Sequence, residues 1–505
     1  MNKQLVISDF LNRAEAIYGD RIAIIDEPNK NSSNFTSPTY REMAELARGQ
    51  ASWLDEIGVP VGGRVAVVSH NSARLLTSYF GISGWGRIMV PINFRLSPEE
   101  IEYIVKHSGA EVLLVEPELS PYLEHIEVPT YAVLGENDNL VFPLGRTPRE
   151  WEPDELATVS INYTSGTTAK PKGVVLTHRS MSLAAAIQSN NHGIDENDVI
   201  LHTLPLFHCN GWSIPYSITG NGAKHIILRK INGQDILRRV DEYGVTIMCG
   251  APAVVNIILE AALRWEGPIP GNKKVRIVVA GAPPPVSMIE RVKTVLGWEF
   301  IQTYGMTEMP ILSVNRAPDD WKSLSSSELA RRLSRAGLPV LGTDIKVDDT
   351  GEILVRSNTE FISYWNQPDE NLHSREEGWF RTGDGGFIDN DGYLNITDRK
   401  KDMIISGGEN ISPMEIESVL LDHPHIKEVA VVGLPDGKWG EAVMALIVVC
   451  GEEDITPEEV QTFARKHLAG YKVPRHIKFC DTLPRTATGK LKKAKIREVY
   501  CKLSQ

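Results

Sequence analysis

The sequence predicts an α/β protein. A large N-terminal part combines two doubly wound α/β subdomains with a small β-barrel-like subdomain, and a small α+β C-terminal domain follows. Three observations carry this. Short apolar runs alternate with longer helical patterns in two separate series ahead of Pro310. Beyond Pro310 the texture changes to short strands around turns. The last stretch, roughly a hundred residues, has a strand and helix pattern of its own. A chain of 505 residues is too long for one ordinary core, and about three domain-sized units are expected.

Taken in order, MNKQLVISDFLNRAEAIYG carries acids early and reads as an amphipathic helix, without the long apolar segment of a signal peptide. Arg64–Ser69, Ile88–Asn93 and Glu111–Glu116 read as buried strands, with helices over Asn71–Trp85 and Ser97–His107 between them. Thr158–Asn162 and Val174–Leu176 read as strands on either side of a polar loop. The second series is Lys224–Arg229, Thr246–Gly250, Val275–Gly281 and Glu299–Thr303. Continuous apolar strands spaced by helices indicate parallel sheets covered on both faces. Gly337–Val355 sets short strands around a DDTG turn, as in a small antiparallel sheet or barrel. In the turn-rich stretch Gly378–Asp402, the DNDG run Asp389–Gly392 invites a calcium reading. It fails, because the first position of an EF-hand register falls on Phe387, so the run reads as a hairpin turn. Met414–Leu421 and Thr456–Leu468 read as helices, Val429–Gly433 and Ala442–Val449 as strands. The charged DRKKD run at Asp398–Asp402 reads as an exposed linker and divides the chain into 1–398 and 399–505.

Hydrophobic residues make up 42% and charged residues 23%, as in a soluble globular protein. The net charge of −12 speaks against a general nucleic-acid surface. No apolar run approaches the roughly 18 residues of a membrane helix. Cys209, Cys249, Cys450, Cys480 and Cys501 are scattered and show no CxxC, which argues against a disulfide framework and a thiolate zinc site. A reducing, cytoplasmic location is expected.

The polar loop is YTSGTTAKPKG, Tyr163–Gly173. It fails the P-loop pattern: counted from Gly166, the second glycine position is Pro171, and Gly173 follows Lys172. Its chemistry still suits a phosphate chain. Thr164, Ser165, Thr167 and Thr168 supply hydroxyls, Gly166 admits backbone N–H groups, and Lys170 and Lys172 supply charge. By composition alone it is equally a solvated connector.

The loop resembles the signature [YT]SGTTGxPKG of the adenylate-forming superfamily, which includes acyl-CoA synthetases, peptide-synthetase adenylation domains and luciferases. Thr177-His178-Arg179-Ser180 continues the match, and Ala169 departs from it where glycine is usual. Further motifs follow in the family's order. They are Gly281-Ala282-Pro283, Tyr304-Gly305-Met306-Thr307-Glu308, Gly378–Asp384, Asp398–Asp402 with Ser406–Asn410, and Pro484–Lys490.

The resemblance implies a two-step reaction. A carboxylate attacks the α-phosphorus of ATP to give an acyl adenylate and pyrophosphate; a thiol, that of coenzyme A, then takes the acyl group and releases AMP. Bringing two anions together calls for cationic and metal screening. By resemblance Lys490 bridges carboxylate and α-phosphate, although composition alone makes it a solvated lysine of the basic tail Lys490–Lys495. Glu308 would ligate Mg²⁺, and Thr307 and Thr168 would donate to phosphate oxygens. Asp384 would accept the ribose hydroxyls with Arg399 as its companion. Gly281, Ala282, Pro283, Tyr304 and Gly305 would surround adenine, with Tyr304 stacking on it. Lys401 would be the hinge of a mobile C-terminal domain, and Gly407 and Gly408 would line a pantetheine tunnel. Lys490 is also a candidate for acetylation, which would remove its charge.

The run Leu204–Trp212, LPLFHCNGW, resembles one branch of acyl-activating enzymes, the ligases of short- and medium-chain and aryl acids. There His208 would sit where the acyl pocket meets the reacting carboxylate, although a lone histidine in an apolar run ordinarily reads as a core imidazole. Cys209, Asn210, Trp212, Ala251, Pro252, Val255, Ala282 and Met306 are the candidates for the pocket wall, with Trp212 shortening it. Amino-acid adenylation domains place an aspartate near this point, so an amino-acid substrate is disfavoured. Two rivals share the adenylation step: loading of a carrier protein's phosphopantetheine, and a luciferase-like oxygenase. Oligomeric state is left open, with a homodimer as the candidate.

Overall fold

The computed structural model describes residues 3–27, 35–164, 171–399, 402–406, 409–436, 439–450, 455–485 and 491–501. Among the described residues, four sheets organise the chain. The first series forms a seven-stranded sheet. Its parallel centre is Thr158–Thr164, Ile88–Ile92, Arg64–Val68, Val112–Val115 and Thr130–Val133. Lys172–Thr177 and Ser363–Tyr364 extend it antiparallel. The second series forms an eight-stranded sheet in the order Ile24–Asp26, Lys224–Ile227, Val199–His202, Ile247–Gly250, Arg276–Val279, Glu299–Met306, Met309–Arg316, Leu338–Pro339. Its first six strands run parallel.

The predicted strand and helix positions hold to within a few residues, but several strands were not anticipated, among them Thr130–Val133, Met309–Arg316, Ser363–Tyr364, Val199–His202 and Ile24–Asp26. Val199–His202 is only four residues long and ends on a histidine. Burial pushes His202 down to about 3, and its neutral ring meets His225 at 2.9 Å. Ile24–Asp26 crosses from the N-terminus to the edge of the second sheet. The expected helix Pro98–Ser108 is well started, with Ser97 and Glu100 capping it reciprocally, and the helix His178–His192, which was not anticipated, is capped the same way by Thr177 with Ser180.

The barrel-like unit is an open sheet rather than a closed barrel. Thr343–Val347, Glu352–Ser357, Trp379–Ile388, Arg375–Glu376 and Leu394–Arg399 pair antiparallel. DNDG turns the last hairpin, with Asp389 accepting from the backbone N–H of Asp391 and Tyr393. The final unit packs Pro413–Leu421 and Pro457–His467 on a sheet whose long hairpin is Ile426–Asp436 with Gly440–Val449. Among the described residues, the buried members of its apolar clusters run from Ile404 to Ile496. Among the described residues no helix is long and apolar enough to cross a membrane.

Candidate active site

The polar loop springs from an antiparallel stem in which Thr164 stands opposite Lys172. Ser165, Gly166, Thr167 and Thr168 lie outside the described residues, as does Ala169. Lys172 is drawn inward: its ammonium lies 2.5 Å from Glu370 and 5.5 Å from the centre of the Tyr364 ring.

In an open sheet, ligands bind beyond the carboxyl ends of parallel strands. Two neighbouring strands of the second sheet end together here, at Gly250 and Val279, in register with Gln302 of a third. Ala251 begins the Pro252–Ala262 helix after the first. Gly281 follows the second in the left-handed region (φ +89°), which explains its residue type, and Ala282 and Pro283 come next. The third strand continues through Tyr304 to Met306 and returns at Met309, leaving Thr307 and Glu308 as the turn. Gly305 sits at an irregularity in that pairing, and a Cβ there would lie 2.5 Å from the Pro310 carbonyl oxygen. No larger residue fits the bend that aims the turn.

That turn is the meeting point. Thr307 and Glu308 are buried. The Tyr364 hydroxyl donates to Glu308 Oε1 at 2.8 Å, and the Phe361 N–H donates to the Glu308 carbonyl at 2.8 Å. Burial and the adjoining Glu308 carboxylate raise the Tyr364 phenol, so it stays a donor at neutral pH. Lys172, Tyr364 and Glu308 thus form one chain of contacts from the loop stem to the turn. The Tyr304 hydroxyl donates to Asp384 Oδ2 at 2.8 Å, and Tyr304 is also packed in the core. Asp384 faces Arg399 as its cross-strand partner.

His208 is half-buried and leads into an unusual backbone. Cys209, Asn210, Gly211, Trp212 and Ser213 all have positive φ, between 47° and 62°. Left-handed residues other than glycine cost on the order of 1–2 kcal/mol each, so such a turn persists only when its surroundings hold it. Here they do. Asn210, fully buried, accepts from Asn162 Nδ2 at 3.1 Å and donates to Ser160 Oγ and to the Tyr216 hydroxyl, both at 3.2 Å. Gln188 donates to the Trp212 carbonyl at 3.1 Å. The Cys209 thiol lies 3.8 Å from the Thr307 carbonyl, and burial together with Glu308 pushes it up.

Of the predicted wall residues, Trp212, Ala251, Pro252 and Met306 are half-buried and Ala282 is exposed. Cys209, Asn210 and Val255 are buried, Val255 within the core cluster beside the second sheet. Asn210 spends its polar atoms on the protein rather than on a cavity. Tyr364, Ser160, Asn162 and Gln188 carry no sequence signal of their own. Tyr364 belongs to a two-residue strand on the edge of the first sheet and is placed by its pairing with Val174.

In the final unit, Lys490, Lys401, Gly407 and Gly408 lie outside the described residues. Their flanks are tied down. Arg485 bridges Leu491, and Lys492 N–H donates to the Pro484 carbonyl at 2.8 Å. Lys493 lies 2.9 Å from Glu417, whose carboxyl is raised by burial. Arg497 lies 2.6 Å from Asp402, next to the expected hinge. Ser406 and Glu409, which flank the glycine pair, are paired with one another.

The chain matches the AMP-binding enzyme family over residues 11–365 and the AMP-binding enzyme C-terminal domain over residues 415–490. It is 35% identical to a probable peroxisomal acyl-activating enzyme 5 of Arabidopsis thaliana, over 98% of this chain and 95% of that one. It is 33% identical to a 2-methylpropanoate–CoA ligase of Humulus lupulus, over 97% and 93% respectively. Among solved structures, o-succinylbenzoate CoA synthetase of Bacillus subtilis in complex with its acyl-adenylate intermediate superposes with a TM-score of 0.83, at 29% identity over 97% of this chain and 98% of that one. The chain belongs to the AMP-binding enzyme family, in the acyl-activating branch of the adenylate-forming enzymes.

Proposed function

We propose that this chain is an AMP-forming acyl-CoA synthetase that activates a short- or medium-chain or small aryl carboxylic acid. The observation that carries the reading is the convergence of the loop stem, the Thr307–Glu308 turn and Asp384 beyond the carboxyl ends of adjacent parallel strands. The residues fit a nucleotide. Asp384 presents a carboxylate suited to the ribose hydroxyls, and Lys172 supplies charge at the loop stem, opposite Thr164. Glu308 is a buried carboxylate already oriented by Tyr364. It suits Mg²⁺, a hard cation that takes carboxylate and phosphate oxygens. Bound there, the metal would neutralise charge on the phosphates. His208, at the head of the left-handed turn, is the residue we assign to the acid's carboxylate. Lys490, on the C-terminal domain, is assigned to the carboxylate and α-phosphate together. We place the domain division at 398/399 and the hinge at Lys401.

Free coenzyme A is the proposed thiol acceptor. Purified protein with ATP, Mg²⁺, coenzyme A and a panel of linear, branched and aryl acids should release AMP and acyl-CoA with at least one of them. AMP release that needs a carrier protein would replace the acceptor. No AMP with any acid would overturn the proposal.

A further inference from the structure

The left-handed turn after His208 has its own fixing. Three side chains close a ring of directed hydrogen bonds: Ser160 Oγ to Asn162 Oδ1 at 2.8 Å, Asn162 Nδ2 to Asn210 Oδ1 at 3.1 Å, and Asn210 Nδ2 to Ser160 Oγ at 3.2 Å. Each is at most 2% exposed. Every bond uses a different donor and acceptor, so the ring has one sense, and removing any member leaves buried polar atoms without partners.

The ring joins two parts of the site that are far apart in sequence. Ser160 and Asn162 are alternate residues of the Thr158–Thr164 strand, which runs directly into the polar loop. Asn210 stands two residues after His208, in the stretch whose positive φ values set the direction in which the chain leaves the histidine. The neighbouring Cys209 thiol meets the carbonyl of Thr307, on the turn that carries Glu308. The acid-side turn is therefore clamped between the phosphate-side strand and the metal-side turn.

We propose that Asn210, through this ring, is a positioning residue for adenylation. It fixes His208 relative to the Thr158–Thr164 strand that leads into the polar loop, so that the acid's carboxylate meets the α-phosphate in attacking geometry. The inference rests on the acyl-adenylation reading above. A misplacement of about 1 Å can cost on the order of 100-fold in rate even when binding survives.

The test uses the full-length chain with an acid it activates. Asn162→Ala opens the ring from the strand side without touching the turn. Asn210→Gly opens it from the turn side while keeping left-handed backbone accessible. Acid-dependent exchange of labelled pyrophosphate into ATP is followed with the KM for ATP and the urea midpoint. Each variant should lower kcat per folded site by about 10- to 100-fold, with little change in the KM for ATP. The double variant should be no worse than the weaker single, as members of one unit are not additive. Ser160→Ala, the mildest change, should lose about tenfold and keeps the test decidable if an asparagine variant does not fold. Wild-type kcat with only a lowered urea midpoint would overturn the proposal, as would fully additive losses. Absence of exchange in the wild type would instead remove the acyl-adenylation reading itself.

Discussion

Replacing Tyr364 by Phe deletes one hydroxyl from the centre of the site. Its partner is Glu308 Oε1 at 2.8 Å, and both residues are 9% exposed, so water does not readily take the hydroxyl's place. A hydrogen bond to a charged group contributes about 1.5–3 kcal/mol. At about 1.4 kcal/mol per tenfold, that corresponds to roughly 10- to 150-fold. The ring itself stays, so its packing against Phe361 (centroids 4.8 Å apart) and beneath the Lys172 ammonium is kept. If Glu308 holds Mg²⁺ on the phosphates, freeing it should raise the Mg²⁺ concentration giving half-maximal exchange and lower kcat for adenylation within that range. The half-reaction from supplied acyl adenylate to thioester should change much less, since it has no pyrophosphate to stabilise. The assay is pyrophosphate exchange titrated with Mg²⁺, beside thioester formation from synthetic adenylate. An unchanged Mg²⁺ dependence and kcat, with only a loss of stability, would show that Tyr364 braces the fold and that Glu308 does not hold the metal.

Other outcomes follow from the same geometry. Lys490→Ala should abolish adenylation far more than thioester formation from a supplied adenylate, and Lys401→Pro should do the reverse; both half-reactions measured side by side check the pair. Trp212→Ala should shift acid preference toward longer chains, read as kcat/KM across a homologous series; an unchanged ranking would remove Trp212 from the wall. Asp26 is pushed from its ordinary 3.8 to about 6, chiefly by burial, while the Ala73 N–H and nearby Arg229 and Arg74 pull it back. Between those values the folded state binds more protons than the unfolded one. Asp26 therefore lowers stability as pH rises from about 4 to 6, by on the order of 2 kcal/mol. Asp26→Asn should remove that part of the pH dependence in urea unfolding; parallel curves for the two proteins would refute the assignment.

The parallel sheets were legible because each central strand is a short continuous apolar run, such as Ile88–Ile92, and such runs have few other places to go. The Thr307–Glu308 turn was legible through its motif, and the structure supplies the reason for its glycine in the close approach to Pro310. The backbone around His208 was not. LPLFHCNGW reads as an apolar run with a lone histidine, and only Asn210 and Gly211 are residues that readily turn left-handed. Cys209, Trp212 and Ser213 give no such sign, because the conformation is imposed by side chains 24 to 50 positions away. The same distance hid Asn210's role: a polar residue beside an expected pocket looks like a wall residue until its partners are seen. Tyr364 was invisible for a related reason, since a two-residue strand has no periodicity to read.

The central claim is that the acid attacks the α-phosphorus of ATP, and one measurement bears on it most directly. With an activating acid, Mg²⁺ and no coenzyme A, labelled pyrophosphate should enter ATP, and a mass equal to acyl-AMP should be recovered from the enzyme; omitting the acid should stop both. ATP cleaved instead to ADP and phosphate, or exchange that is indifferent to the acid, would contradict the account.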